Sequence, residues 1–187
     1  LIEAVGASKV ITVDLHSEAV ASFFNVSVAH LFGLSIFLPE IRKLRNDLVI
    51  IAPDAGGAKR AQKFAEEIDA PLALIEKKRN LQKLHTLESL AVIGEVSGKT
   101  CVIVDEVITG GGTVVEAARL LKEKGAKKVI ACATHPDFVE GTAEKLTKSE
   151  VDKVYVSDTI PIKSKDIFPK LKIVSIGNLI AETIRNL

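Results

Sequence analysis

The sequence predicts an α/β protein built on a mostly parallel sheet flanked by helices. Strand-length runs are apolar on consecutive residues, as in strands covered on both faces. They alternate with segments of helical period, which gives right-handed βαβ units. Glycine-rich turns follow two of the runs, at the strand ends where such sheets carry functional loops.

In chain order, residues 1–5 read as the tail of a helix stopped by Gly6. Strands are expected at 10–13, 48–52, 72–75, 101–104, 129–133, 154–156 and 173–176. Ala58, Ala61, Ala65 and Ile68 share one face of a helix that turns Glu66 and Glu67 outward. Val114, Ala117, Ala118 and Leu121 repeat that spacing, with Gly125 as the stop. The stretch 77–90 is polar, basic at its start and weakly periodic, so it reads as a long mobile loop. The chain starts at leucine and contains no methionine, so sequence is expected upstream.

Composition narrows the function. The net charge is +1, from 25 basic and 24 acidic residues, which gives no bulk attraction to nucleic acid or an anionic membrane. No run approaches the roughly 20 apolar residues of a spanning helix. Cys101 and Cys132 sit in apolar runs and form no disulfide framework, so a reducing, cytoplasmic setting is expected.

The strongest local signal runs from Val102 to Thr113. A buried strand ends in Asp105 and Glu106, then Thr109-Gly110-Gly111-Gly112-Thr113 turns into a helix. Consecutive glycines let backbone N–H groups converge, and the helix N-terminus adds partial positive charge. That is a phosphate cradle. The acids would repel a phosphate but suit sugar hydroxyls, which donate to carboxylates. A ribose 5-phosphate site follows; the alternative is a tight turn with a solvated acidic pair. A second strand end, Pro53-Asp54-Ala55-Gly56-Gly57, offers Asp54 to a divalent cation or a ribose hydroxyl, or else as a helix N-cap. A third carries Asp14 and His16, which share a face if the strand continues. Lys77, Lys78 and Arg79 could fold over a polyphosphate, or form a solvated basic loop. Gly94-Glu95-Val96-Ser97-Gly98-Lys99-Thr100 imitates a nucleotide-binding P-loop. It is one residue short and leads into a strand, so no helix N-terminus completes it.

These motifs together resemble the ribose-phosphate pyrophosphokinase family. Thr12-Val13-Asp14-Leu15-His16 is similar to the family's histidine motif, and Pro53 to Gly57 to its Pro-Asp-x-Gly-Gly. Glu76-Lys77-Lys78-Arg79 resembles the start of its catalytic loop, and Val104 to Thr113 its phosphoribosyl loop. Ala133-Thr134-His135 and Ser157-Asp158-Thr159-Ile160-Pro161 match later landmarks in order.

The resemblance implies a type I phosphoribosyltransferase-like fold. It also implies transfer of the diphosphoryl group of ATP to the 1-hydroxyl of ribose 5-phosphate, with Mg2+ required and AMP released. By position, His16 and Asp54 would contact magnesium or its nucleotide complex. Lys77 and Arg79 would stabilise the transferring group. Asp105 and Glu106, with Asp54, would hold the ribose. Thr109, Gly110, Gly111, Gly112 and Thr113 would grip the 5-phosphate. The implied organisation is 1–33 as the end of a preceding similar domain, 34–175 as the phosphoribosyl domain, and 176–187 as a helix packing back on the first. Its apolar Leu179, Ile180 and Ile184 would then be exposed. A homo-oligomer is expected, with no nucleic-acid or membrane partner. Alternatives are a phosphoribosyltransferase consuming phosphoribosyl pyrophosphate, or a non-catalytic synthetase-associated subunit. The family's loop reads Asp-Asp-x-x-Asp-Thr-Gly-Gly-Thr. Here Glu106 replaces the second Asp, Thr109 the third and Gly110 the Thr, removing one carboxylate and one hydroxyl.

Overall fold

The computed structural model describes residues 1–44, 47–78 and 89–186. A small parallel sheet pairs Lys9–Val13 (β1) with Ser27–Leu31 (β2). The main sheet uses Leu48–Ala52 (β3), Leu72–Lys78 (β4), Ser89–Ile93 (β5), Thr100–Ile108 (β6), Lys128–Pro136 (β7), Lys153–Ser157 (β8) and Leu171–Val174 (β9). Their order is β5-β4-β3-β6-β7-β8-β9, and every pairing is parallel except that of β4 with β5. Helices Leu38–Arg42 (α1), Ala58–Ile68 (α2), Gly112–Glu123 (α3), Thr142–Lys148 (α4) and Gly177–Asn186 (α5) complete the chain.

The alternation of β6 distributes the core. Val102 and Val104 pack with Phe37, Ile41, Ala61 and Phe64 from α1, α2 and the turn before α1. Cys101 and Ile103 pack with Ala117, Leu121 and Leu146 from α3 and α4 on the other face. The sheet is thus covered on both sides, as the consecutive apolar runs require. Gly125 ends α3 as expected: its φ is +85°, and the Ala126 N–H reaches back to the Leu121 carbonyl at 3.0 Å.

Two strands were not legible. β2 alternates weakly. β5 lies at the end of the stretch read as a loop; Leu90 and Val92 pack on the core while Ile93 stays half-exposed, the signature of an edge strand. β9 falls two residues earlier than expected, and past its end the Ile176 N–H donates to Asp158 Oδ1 at 2.8 Å. Residues 3–5 form a 3-10 turn stopped by Gly6 (φ +97°). In α5, Leu179 and Ile180 are half-buried and Ile184 is exposed.

The small sheet is tied to the large one through Asp14. Its φ of +39° takes it off the β1 path and turns its carboxylate inward. Oδ2 accepts from the Thr134 hydroxyl at the end of β7 and from the Leu34 N–H at 3.2 Å. His135 Nε2 donates to the Val13 carbonyl at 3.0 Å. Gly33 fits because it has no Cβ. One there would lie 2.5 Å from Thr134 Cγ2 and 2.8 Å from Asp14 Oδ2. Gly33→Ala is therefore expected to lower stability by about 2–3 kcal/mol, read as a shifted urea midpoint at unchanged slope.

Candidate functional site

The turn between β6 and α3 is held in place through its carbonyls. The Thr109 carbonyl accepts from the Thr142 hydroxyl at 2.6 Å and from the Val139 N–H at 3.3 Å. The Gly110 carbonyl accepts from Lys145 Nζ at 3.0 Å. These carbonyls are thereby engaged by α4 and the segment before it. Gly111 has φ +70°, a conformation that favours glycine, and α3 starts at the next residue. The first N–H groups of this 12-residue helix have no intrahelical partner. They border a hollow of about 210 Å³ lined by Asp105 and the turn residues Thr109 to Thr113. A Cβ on Gly112 would meet nothing within 4 Å, so the hollow is open at that point.

The acidic pair does not sit where a strand ends. β6 continues to Ile108, pairing Val107 with His135 and Ile108 with Pro136. Asp105 and Glu106 are consecutive within a strand and therefore point to opposite faces. Asp105 lines the hollow; Glu106 lies on the side of α2. The Asp105 carboxylate accepts the Glu106 N–H at 2.8 Å. Burial pushes its pKa up to about 6; the nearby charges of Glu106 and Asp54 add to the rise, and that backbone amide and Arg60 oppose it.

Glu106 is clamped between two cations or potential cations. Arg60 Nη2 pairs with its Oε2, and His16 Nδ1 meets its Oε1. Arg60 Nη1 stands 3.8 Å from Asp105 Oδ1. One guanidinium from the first turn of α2 thus addresses both acids. Arg60 was not singled out from sequence. Its only signal was its place three residues after Gly57, on the turn of α2 facing the end of β6.

Beside this clamp lies a cavity of about 480 Å³. His16, His30, Phe32, Lys59, Arg60 and Lys63 contribute to its wall, and Lys63 Nζ sits 4.3 Å from the Phe32 ring centre. Its charged lining is mostly basic. Arg60 borders it and stands 3.8 Å from Asp105, which lines the turn hollow, so this one side chain links the two linings.

The other expected residues fall as follows. Asp54 Oδ1 accepts the Gly57 N–H at 2.9 Å and shapes the turn before α2; it is not that helix's N-cap, a position held by Gly57. Asp14 and His16 do not share a face, because the strand stops at Val13: Asp14 is buried in the core, while the His16 side chain is 91% exposed beside Glu106. The backbone of Lys77 lies in β4 opposite Leu90. The side chain of Lys77, and Arg79 altogether, lie outside the described residues.

An acid-bearing strand running into a glycine turn and a helix, on this sheet, defines a phosphoribosyl-type α/β domain. The family described as phosphoribosyl synthetase-associated domain matches residues 83–187, more than half of the sequence, and the chain belongs to it. It is 42% identical to a ribose-phosphate pyrophosphokinase of Thermosipho africanus, over 98% of this chain and 58% of that protein. It is 44% identical to the Synechococcus elongatus protein of the same name, over 98% and 56%. Among solved structures, phosphoribosylpyrophosphate synthetase from Mycobacterium smegmatis superposes with a TM-score of 0.89 at 35% identity, covering 98% of this chain and 60% of that one. Orotate phosphoribosyltransferase from Aeropyrum pernix, at 22% identity and a TM-score of 0.51, shares the fold alone. The chain spans a little over half the length of the curated relatives it matches.

Proposed function

We propose that this chain supplies the ribose 5-phosphate half of a ribose-phosphate diphosphokinase. The observation that carries this is the turn hollow, lined by Asp105 and by the turn residues Thr109 to Thr113 at the start of α3, with Arg60 linking it to a basic cavity. The names of the relatives supply the reaction. The 5-phosphate sits on the amides of Gly110 to Thr113, and Asp105 accepts from a ribose hydroxyl. The diphosphoryl end of ATP occupies the basic cavity near His16, Lys59, Arg60 and Lys63, and the resemblance to the family assigns Lys77 and Arg79 to the transferring group. The ribose 1-oxygen bonds to the β-phosphorus as its bond to the α,β-bridging oxygen breaks. AMP leaves with that oxygen, and the hydroxyl proton passes to solvent. Catalysis of this type rests on positioning and charge neutralisation. Glu106, turned to α2, acts through Arg60 and His16 and does not face the sugar.

Magnesium fits as a phosphate-borne ion. Among the described residues no group of three or more His, Cys, Asp or Glu could hold a metal by itself. Magnesium usually takes one or two carboxylates together with substrate phosphates and water. Asp54 is the oxygen donor we assign to it, and His16 the contact to its nucleotide complex. Bound there, the ion would neutralise phosphate charge.

We further propose that residues 34–175 form the phosphoribosyl domain. Residues 1–33, with their separate two-stranded sheet, end a similar preceding domain, and 176–187 pack against it. The working enzyme is a cytoplasmic homo-oligomer in this reading. No helix among the described residues is long and apolar enough to cross a membrane.

Calorimetric titration tests the assignment. Ribose 5-phosphate is expected to bind and ribose is not; equal, non-saturating heats for both would overturn it. With MgATP and ribose 5-phosphate, AMP should form. Pyrophosphate released from phosphoribosyl pyrophosphate and a nucleobase would instead indicate the transferase. The substitutions Thr109→Asp and Gly110→Thr together are expected to tighten ribose 5-phosphate roughly tenfold, since the added hydroxyl donates to the phosphate and the added carboxylate accepts from a ribose hydroxyl. A Cβ at Gly110 is tolerated, its nearest neighbour being Val139 Cγ2 at 3.9 Å. Unchanged affinity would remove these two positions from the site.

A further inference from the structure

A second, smaller cavity of about 140 Å³ opens past the ends of β7 and β8. Pro136, Phe138, Ile160 and Ile162 give it apolar walls. The Phe138 ring is held against Phe168, with centroids 6.4 Å apart. Asp166 also lines it, on a 3-10 turn (Ser164–Asp166) fixed by its N–H bonded to the Lys163 carbonyl at 2.8 Å.

Asp166 is the unusual feature. It is only 9% exposed, yet its carboxylate accepts no hydrogen bond and forms no ion pair among the described residues. The other deeply buried acids do otherwise: Asp14 accepts two donors and Glu106 two cations. No polar side-chain atom among the described residues is both sealed and unpartnered, so the Asp166 oxygens reach solvent, and the cavity they line is the way out. Exposed Asp137 adds a second negative charge at the cavity. Lys163 also borders it but pairs with neither acid. The Asp166 oxygens are therefore acceptors left open toward the cavity, where an incoming donor can reach them.

We propose that this cavity is a binding site for an alkylated cation, a guanidinium or primary ammonium group carried on a short apolar stem. The head pairs with Asp166, the stem lies along Ile160 and Ile162, and the Phe138 ring adds cation–π attraction. Size sets the limit. Nucleotide- and drug-sized ligands occupy cavities of roughly 300–1,000 Å³, so this one takes a single cationic head with a few methylenes. The carrier is either a free amine or the Lys or Arg side chain of a second copy of the chain. The proposal stands apart from the reading of the phosphate turn and survives if that reading fails.

Amide NMR of the full chain tests it, with methylguanidinium and n-butylammonium chloride as probes and sodium chloride at equal ionic strength as control. Saturable shifts are expected at residues 137–138, 160, 162–163 and 166. Asp166→Asn is expected to weaken them at least tenfold while leaving the thermal midpoint equal or higher, because it removes a charge without a partner. Shifts at the same residues on raising protein concentration without probe, abolished by that substitution, would identify the second copy as the source. Shifts that match the sodium control, or persist unchanged in Asp166→Asn, would overturn the proposal. So would a fall in thermal midpoint in Asp166→Asn, which would assign the carboxylate a structural role.

Discussion

Asp105→Asn is expected to make the folded chain more stable at pH 7.5 and poorer at binding ribose 5-phosphate. Burial raises this carboxyl from its ordinary 3.8 to about 6. An acid held higher in the folded state binds its proton more tightly there, so ionisation works against folding. The penalty is absent below pH 3.8, where folded and unfolded chains are both protonated, and complete above about pH 6. Its size is on the order of 2–3 kcal/mol. The asparagine variant should therefore gain about that much at pH 7.5, and the advantage should vanish by pH 3.5. Denaturant melts across that range read it directly. Ribose 5-phosphate affinity should fall roughly ten- to a hundredfold, the worth of a hydrogen bond to a charged group. A stabilising substitution that harms binding marks a residue kept for function. If the variant instead lost stability at pH 7.5, Asp105 would be a structural carboxylate and the site would lose its sugar contact.

Arg60→Ala is expected to act in the opposite sense. The Arg60 and Glu106 side chains are only 16% and 10% exposed, so their pairing is shielded from water. Removing the guanidinium leaves Glu106 with His16 among the described residues and withdraws a cation that stands near both acids. Breaking such a pair costs about 3 kcal/mol. Adding Glu106→Gln should recover part of the loss, with a coupling of about 1–3 kcal/mol in the double-mutant cycle. The Asp105 pKa should also rise further, since Arg60 favours its ionised form. A loss below 0.5 kcal/mol, with additive effects in the cycle, would show that the clamp contributes nothing.

The parts of this architecture read from sequence were those written in consecutive residues. The cores of β3, β6 and β7 are unbroken apolar runs because helices cover both faces, and α2 and α3 announce themselves by spacing. β5 was lost because an edge strand needs only Leu90 and Val92 to face inward. The glycine turn was legible as the passage from β6 into α3, since three glycines between an apolar run and a helical spacing mark one. The division of labour in the acidic pair was not. It depends on how far β6 continues, which its pairing with β7 decides. Asp14 parted from His16 through one positive φ, which no local pattern announced. Arg60 looked like any cation on a helix surface, and only the approach of α2 to β6 brings it to the acids.

The most direct measurement is an amide NMR titration of the chain with ribose 5-phosphate. Saturating shifts centred on Gly110 to Thr113, with Asp105 among the responding residues, are the expected result. Shifts confined to the cavity near His30 and Lys63, with the turn amides silent, would contradict the assignment of the sugar-phosphate to the start of α3.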